Sequence, residues 1–375
     1  MNKDMILDRE DDSMNIKNEK IQIIIAAAII GIITSLLVLF GNPANMGFCI
    51  ACFLRDTAGA LGLHKAEPVE YIRPEIIGLV LGSFAMALWK KEFSVKGGSA
   101  PLTRFLLGAF AMIGCLMFLG CPFRTVVRLA GGDLNAIFGL VGFAIGIGIG
   151  IVFLNKGYSL KRTYKQPKAE GFIFPAIQVV MLILAIAAPA FILFTPEGAG
   201  PGAKHAAIII SLAAGLIVGA LAQRTRLCMV GGIRDFILFR ESKLLIGYAV
   251  VFLGVLICNL ILTGVGAGAF FNLGFAGQPV AHTDALWNTL GMILAGFACT
   301  LLGGCPLRQL ILSGEGNTDS VITVLGLMAG AAFAHNFKLA SSADGPTANG
   351  KAAVIIGLVV VFIIALGNTL RKDKE

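Results

Sequence analysis

The sequence predicts an all-α polytopic membrane protein of about ten transmembrane helices, arranged as two inverted repeats with short broken or re-entrant helices that carry cysteine motifs. Of its 375 residues, 57% are hydrophobic and only 14% are charged, whereas soluble proteins have roughly 25% charged residues. The apolar runs are continuous over about 20 residues, a length that spans a bilayer as a helix. A cysteine motif recurs in the second half of the chain, which indicates an internal repeat.

The first half begins with a polar segment of mixed charge, residues 1–20, which we interpret as a cytoplasmic tail. It continues as a first repeat at 21–154. Four spans are expected in this repeat, at 21–40, 75–89, 102–119 and 134–154. Two segments that are too short to cross a bilayer are expected between them, at 45–59 and 120–132. In the last span, Gly142, Gly146 and Gly150 recur every four residues, a pattern that allows close helix packing.

The second half has the same order of elements after a basic linker and a spacer helix at 155–204. The second repeat is predicted at 205–338, and a final transmembrane helix with a cytoplasmic tail at 339–375. The spans expected from the spacer helix onward lie at 172–194, 205–222, 244–271, 286–302, 319–338 and 352–370. The short segments of this half are expected at 224–240 and 304–317.

Two pairs of motifs define the repeat. Gly120-Cys121-Pro122-Phe123-Arg124 recurs as Gly304-Cys305-Pro306-Leu307-Arg308, and a further cysteine lies six residues before each motif cysteine, at Cys115 and Cys299. Proline-broken turns at corresponding places in two hydrophobic halves indicate a transporter binding site.

The second motif pair lies earlier in each half. Cys49 precedes Arg55-Asp56, and Cys228 precedes Arg234-Asp235. These Arg-Asp pairs are either functional or structural ion pairs, and the sequence leaves both interpretations open. Cys49 and Cys52 also form a Cys-x-x-Cys pair, but Gly231 stands at the corresponding position of the second half.

Charge placement predicts the topology. Each half has four spans, and one spacer helix lies between the halves. The chain therefore crosses the membrane an odd number of times between an element of the first repeat and its counterpart in the second, so the repeats are expected to be inverted. With the N-terminus inside, 22 of the 30 Lys and Arg residues fall on the inner side. The positive-inside rule therefore favours cytoplasmic N- and C-termini in a multi-pass protein of the cell (inner) membrane.

The motif residues indicate a path for a small anion that contains sulfur or selenium. The N-terminus of a broken helix carries a positive partial charge, an arginine inside a membrane usually faces a pathway or a partner, and thiol sulfur is soft and polarisable. The predicted path residues are Cys49, Cys121, Cys305, Cys228, Arg124, Arg308, Arg55 and Arg234. Cys52, Cys115 and Cys299 are candidate accessory thiols, although buried cysteines also serve simply as small apolar side chains.

The same residues leave one enzymatic alternative open, a membrane thiol-disulfide oxidoreductase that uses Cys49/Cys52 and Cys115/Cys121. We nevertheless predict a transporter and not an enzyme. The four histidines lack ligand spacing, so no metal is expected, and the absence of nucleotide-binding motifs predicts no cofactor. The net charge of +8 lies mainly in loops beside helices, so the expected partner is the lipid bilayer and not nucleic acid.

At these residues the chain resembles the YeeE/YedE family, membrane proteins of sulfur-compound import. The resemblance rests on Met46-Gly47-Phe48-Cys49 and on the two Gly-Cys-Pro-x-Arg motifs. It implies that Cys49, Cys121 and Cys305 lie in line and pass thiosulfate or a similar anion by S–H···S contacts, whereas Cys228 is added by the internal repeat. The segment from Cys49 to Asp56 and Tyr71-Ile72-Arg73-Pro74-Glu75 resemble the YedE-type branch, which is associated with selenium metabolism. The resemblance also implies a cytoplasmic sulfurtransferase-like protein as a partner.

Overall fold

The computed structural model describes the backbone of residues 3–370 and the side chains of residues 18–370. Over this range the chain is nearly all helical, and ten helical stretches are long and apolar enough to cross a membrane. The predicted all-α polytopic class is confirmed. The side chains of residues 1–17, and residues 371–375 with the predicted C-terminal tail, lie outside the described part.

Ten of the helices are long. Their bounds are α1 Lys3–Leu39, α3 Pro74–Trp89, α4 Pro101–Phe118, α6 Asn135–Asn155, α7 Lys168–Ala187, α8 Ile208–Thr225, α10 Lys243–Gly264, α11 Ala285–Leu301, α13 Thr318–Asn336 and α14 Ala348–Leu370. Four helices are short, and they occupy the predicted short segments. Their bounds are α2 Ile50–Ala60, α5 Pro122–Ala130, α9 Met229–Phe239 and α12 Pro306–Gly314.

Two predicted spans are wrong at their C-terminal ends. The spacer helix α7 ends at Ala187 and not at 194, because Ala188 adopts a left-handed conformation with φ 42° and Pro189 follows it. Helix α10 ends at Gly264 and not at 271. Beyond it, Gly266 and Gly268 have φ of 74° and 146°, conformations that glycine adopts freely and that do not continue a helix.

The helices pack in pairs that correspond between the two halves. Helix α3 packs against α8, and α1 packs against α10; likewise α6 packs against α11, and α4 against α13. If each helix is exchanged for its counterpart in the other half, the α3–α8 pair becomes the α10–α1 pair, and the α6–α11 pair becomes the α13–α4 pair. Helix α12 contacts α3 just as α5 contacts α10. This pattern is consistent with two inverted repeats.

The glycine face predicted on α6 packs against α11. A methyl group added at Gly142 would meet the backbone carbonyl of Thr289, and one added at Gly146 would meet that of Ile293. Gly148, on another side of the same helix, has open space around it. The close approach of the two backbones therefore depends on glycine at specific positions, as the repeat of small residues predicted.

The bundle has two faces, which we call the N face and the opposite face. Glu19 in α1 pairs with Lys243 at the start of α10 and thus marks the N face. Two short strands, β1 Lys96–Gly97 and β2 Tyr164–Lys165, pair antiparallel and join two loops. Helix α14 begins beside Leu339 and passes Phe153, so its described end returns to the N face.

Candidate functional site

Two cysteines occupy the start of a short helix in each half. Cys49 is the N-cap of α2 and Cys228 is the N-cap of α9. Each sulfur accepts a backbone N–H at 3.4 Å, from Cys52 and Gly231 respectively. A side chain at this position satisfies one of the free N–H groups of a helix start. The repeated sequence spacing therefore produces the same local geometry in both halves.

The cysteines of the Gly-Cys-Pro-x-Arg motifs are also N-caps. Cys121 and Cys305 precede α5 and α12 in extended backbone conformations, with Pro122 and Pro306 as the first helical residues. Proline is favoured there because its fixed φ suits a helix and its missing N–H would have had no partner in the helix. The chain is thus broken at both motifs, where the sequence predicted it.

These N-caps come together as two groups of thiols. In the first thiol cluster, Cys49 interacts with Cys121 and with Cys52. In the second thiol cluster, Cys228 interacts with Cys305. All five cysteines are free, and all are buried. The structure thus combines one motif of each kind in each cluster, and both members come from the same half of the chain.

Helix N-termini converge on each cluster. The Cys121 sulfur interacts with the backbone N–H of Ala51 in α2 and with that of Arg124 in its own helix. The Cys305 sulfur likewise interacts with the N–H of Met229 in α9. A helix N-terminus carries about half a positive elementary charge. Two such termini at one place form a setting that attracts an anion.

Arg124 differs from the other predicted arginines in its partners, which are backbone carbonyls. Its side chain is buried and donates through Nε to the Asn45 carbonyl at 2.8 Å and through Nη2 to the Val280 carbonyl at 3.2 Å, while Nη1 donates to the Leu119 carbonyl. Nη1 also lies 3.8 Å from the Cys52 sulfur. Among the described residues, Arg124 pairs with no carboxylate. Its charge therefore remains uncompensated beside the first thiol cluster.

Arg55 belongs to a buried ion network instead. Its guanidinium pairs with Asp56 at 2.7 Å, and Asp56 also pairs with Arg73 at 2.7 Å. All three side chains are at most 3% exposed. One carboxylate between two arginines leaves a net positive charge. Arg73 was not among the predicted path residues, because its motif, Tyr71-Ile72-Arg73-Pro74-Glu75, was interpreted only as a mark of the YedE-type branch.

The remaining two predicted arginines are paired with acidic neighbours. Arg234 contacts Asp235 at 2.8 Å and is about a third exposed, and Arg308 contacts Glu315 at 2.9 Å. Burial raises the pKa of the Glu315 carboxyl, and the Arg308 guanidinium opposes that rise. The structure therefore does not give the four predicted arginines equal surroundings, since only Arg124 lacks a carboxylate partner in the described part of the chain.

Of the three candidate accessory thiols, Cys52 belongs to the first thiol cluster, whereas Cys115 and Cys299 lie near the clusters. Cys115 lies on α4 within electrostatic range of Cys299 on α11, and also of Cys49 and Cys52. Cys299 also lies within electrostatic range of Cys228. Both side chains are buried at the contact between α4 and α11.

Tyr248 lies between the two thiol clusters. It is 3% exposed on α10, and its ring meets the edge of the Phe123 ring at 6.3 Å between centroids. Its hydroxyl interacts with the Cys305 thiol and is within electrostatic range of Cys121. The sequence analysis missed this residue. The sequence feature that could have identified it is a tyrosine inside an apolar run, in a chain that has only four tyrosines.

A cavity opens at each face of the bundle, and the one at the opposite face reaches the first thiol cluster. The opposite-face cavity has a volume of about 500 Å³ and is lined by Arg55, His335 and Leu119 among others. The Leu119 carbonyl lies 3.9 Å from the Cys52 sulfur, so this cavity ends beside the first thiol cluster. The N-face cavity has a volume of about 440 Å³ and is lined by Arg226, Asp235 and other polar residues.

Metal coordination finds no support in the described residues, where no group of three His, Cys, Asp or Glu side chains is arranged to bind an ion. The chemistry that the site does offer is electropositive and soft, which suits an anion. It combines thiols, helix N-termini and buried guanidinium groups, with a cavity of the opposite face beside them.

Comparison with known proteins identifies similarity to sulfur transport proteins. A protein-family profile described as sulphur transport matches residues 224–370, a stretch that includes the second thiol cluster. The chain is also 26% identical over 121 residues to the thiosulfate transporter TsuA of Escherichia coli (strain K12). That match covers 32% of this chain and 32% of the relative, so the chain spans about a third of its length. Both comparisons agree with the predicted resemblance at the level of sulfur transport.

Proposed function

We propose that this multi-pass membrane protein is a transporter or channel that takes up a small sulfur- or selenium-containing anion. The observation that carries the proposal is the pair of buried thiol clusters, which are built from corresponding motifs of the two halves, with a cavity of the opposite face ending beside the first of them. Similarity to sulfur transport proteins points to the same substrate class.

In the proposed path, the anion first meets Arg55 in the opposite-face cavity and then the first thiol cluster. There the Arg124 guanidinium and the N-termini of α2 and α5 replace part of its hydration shell. The second thiol cluster forms the next site, and Arg308 and Arg234 lie on the way to the N face. Conduction requires sites that bind favourably and release easily. Thiol groups meet this requirement because S–H contacts with a soft anion are weak.

The proposed topology places the N face in the cytoplasm, with the protein in the inner membrane. The sequence places 22 of the 30 Lys and Arg residues on that side, in agreement with the positive-inside rule. The symmetric helix pairs support inverted repeats at 21–154 and 205–338, separated by the linker and spacer helix at 155–204. A cytoplasmic sulfurtransferase-like protein at the N face would receive the anion.

The substrate atom that the thiols contact is either sulfur or selenium. The extra thiols Cys52 and Cys115 lie at or near the first cluster, and additional soft groups favour a softer substrate. Thiosulfate is the first substrate to test because the relative named above is a thiosulfate transporter.

Flux into liposomes tests the proposal. Purified protein reconstituted into liposomes is expected to take up labelled thiosulfate, selenite or another selenium species above the level of empty liposomes. Cys121→Ala and Cys305→Ala should each reduce that uptake at least tenfold. Cys258→Ala is the matched control, since Cys258 is partly exposed on α10 and belongs to neither cluster. Background flux for every substrate, or full uptake in both motif variants, would contradict the proposal.

The oxidoreductase alternative makes a different prediction for the same thiols. Contact of Cys49 with both Cys52 and Cys121 would allow a disulfide to form. Under that alternative, alkylation would find fewer free thiols after turnover with an oxidant, and flux would stay at background. A transporter should keep its free thiols unchanged while it carries the anion.

A further inference from the structure

Tyr248 is the side chain that the fold places between the two halves of the path. Its ring packs against Phe123, the residue after Pro122 in the first half. Its hydroxyl lies beside the Cys305 thiol of the second half and is also within electrostatic range of Cys228 and Cys121. Helix α10 contacts α5 and α9, so helices of both clusters surround this ring.

The hydroxyl of Tyr248 is buried, and its interaction with the Cys305 thiol lacks the geometry of a normal hydrogen bond. Among the described residues it has no hydrogen-bond partner of normal geometry. Buried hydroxyls are usually paired because an unpaired one loses its bonds to water without replacement. Phenylalanine would fill the same space without this penalty. Because the Tyr248 hydroxyl, unlike the buried hydroxyl of Tyr158, lies beside thiols of both clusters, an anion held by those thiols is placed to accept its hydrogen bond.

We propose that Tyr248 is a substrate-binding residue that donates a hydrogen bond from its hydroxyl to an oxygen of the anion as it passes from the first thiol cluster to the second. The inference rests on the proposed transport function and specifies its substrate as an oxoanion. The thiols contact the sulfur or selenium atom, and Tyr248 binds the oxygen end. A ligand with both kinds of atom, such as thiosulfate, is oriented between the clusters.

The test measures the kinetics of thiosulfate uptake into liposomes that contain either Tyr248→Phe or Tyr158→Phe. Tyr158 is the matched control, because its hydroxyl is also buried without a partner in the described chain but lies near Arg104, away from the clusters. Tyr248→Phe is expected to raise the KM for thiosulfate about tenfold or more, in line with the loss of a buried hydrogen bond to a charged group. Tyr158→Phe should leave the KM within about twofold of that of the unaltered protein.

Three results would overturn the inference. An unchanged KM in Tyr248→Phe, with normal uptake by the unaltered protein, would refute the role of Tyr248 alone. Background uptake by the unaltered protein would refute the proposed function and the inference with it. A lower melting temperature of ligand-free Tyr248→Phe in detergent would show that the hydroxyl already has a partner in the protein. We expect that temperature to stay equal or rise, and a given thiosulfate concentration to raise it more in the unaltered protein than in Tyr248→Phe.

Discussion

Substitution of Arg124 by lysine tests whether the guanidinium geometry, and not only its charge, builds the path. Arg124 donates to backbone carbonyls in three separate loops, those of Asn45, Leu119 and the Pro279–Val280 pair. A lysine ammonium keeps the charge but is a compact donor, so it can reach only one of these loops. Each lost hydrogen bond from a charged donor costs about 1.5–3 kcal/mol. Loss of the hydrogen bonds to two of these loops should therefore lower the free energy of unfolding by at least about 3 kcal/mol.

The expected result is a clear fall in the melting temperature of the detergent-solubilised protein, together with loss of thiosulfate uptake. Arg234→Lys serves as the control, because Arg234 is about a third exposed and pairs only with its neighbour Asp235. It should change stability by less than about 1 kcal/mol. If Arg124→Lys matches the unaltered protein in both melting temperature and uptake, the three-loop network is not needed and our argument from its geometry is refuted.

Three further predictions use matched positions. Asp56→Asn leaves two buried arginines without a carboxylate and should destabilise by about 3–5 kcal/mol, whereas its repeat counterpart Asp235→Asn, which is 23% exposed, should cost less than about 1 kcal/mol by thermal unfolding. Gly142→Val forces a side chain into the backbone of α11 and should cost at least about 1–3 kcal/mol, while Gly148→Val, in open space, should change the melting temperature little. Cys115→Ala removes only an accessory thiol, so liposomes should retain more than about half of the normal uptake; a tenfold loss would place Cys115 in the path.

Much of the fold could be predicted because its signals are local. Apolar runs located the long helices, and the prolines after Cys121 and Cys305 marked the starts of α5 and α12. The two errors, at the ends of α7 and α10, arose where apolar residues continue past the last helical turn. There Ala188 and the glycines after Gly264 change the backbone direction without a change in hydropathy, so composition alone could not show the boundary.

The candidate site was predictable only in part. The repeat identified the cysteines and arginines, but it could not separate Arg124, which lacks a carboxylate partner in the described structure, from Arg55, Arg234 and Arg308, which are paired. An ion pair depends on which side chains meet in space. Arg124 meets carbonyls of loops that are far from it in the sequence, and no motif records such contacts.

The sequence by itself determined the membrane class, the short segments and the helix starts after Cys121 and Cys305, because hydropathy and proline act over a few residues. Only the tertiary structure decided which thiols interact and which polar group lies between them. Cys49 meets Cys121, and Tyr248 meets Phe123 and Cys305, only because helices from both halves pack around them. That packing buries the Tyr248 hydroxyl without a normal hydrogen bond, and in the proposed path a bound anion supplies the missing acceptor.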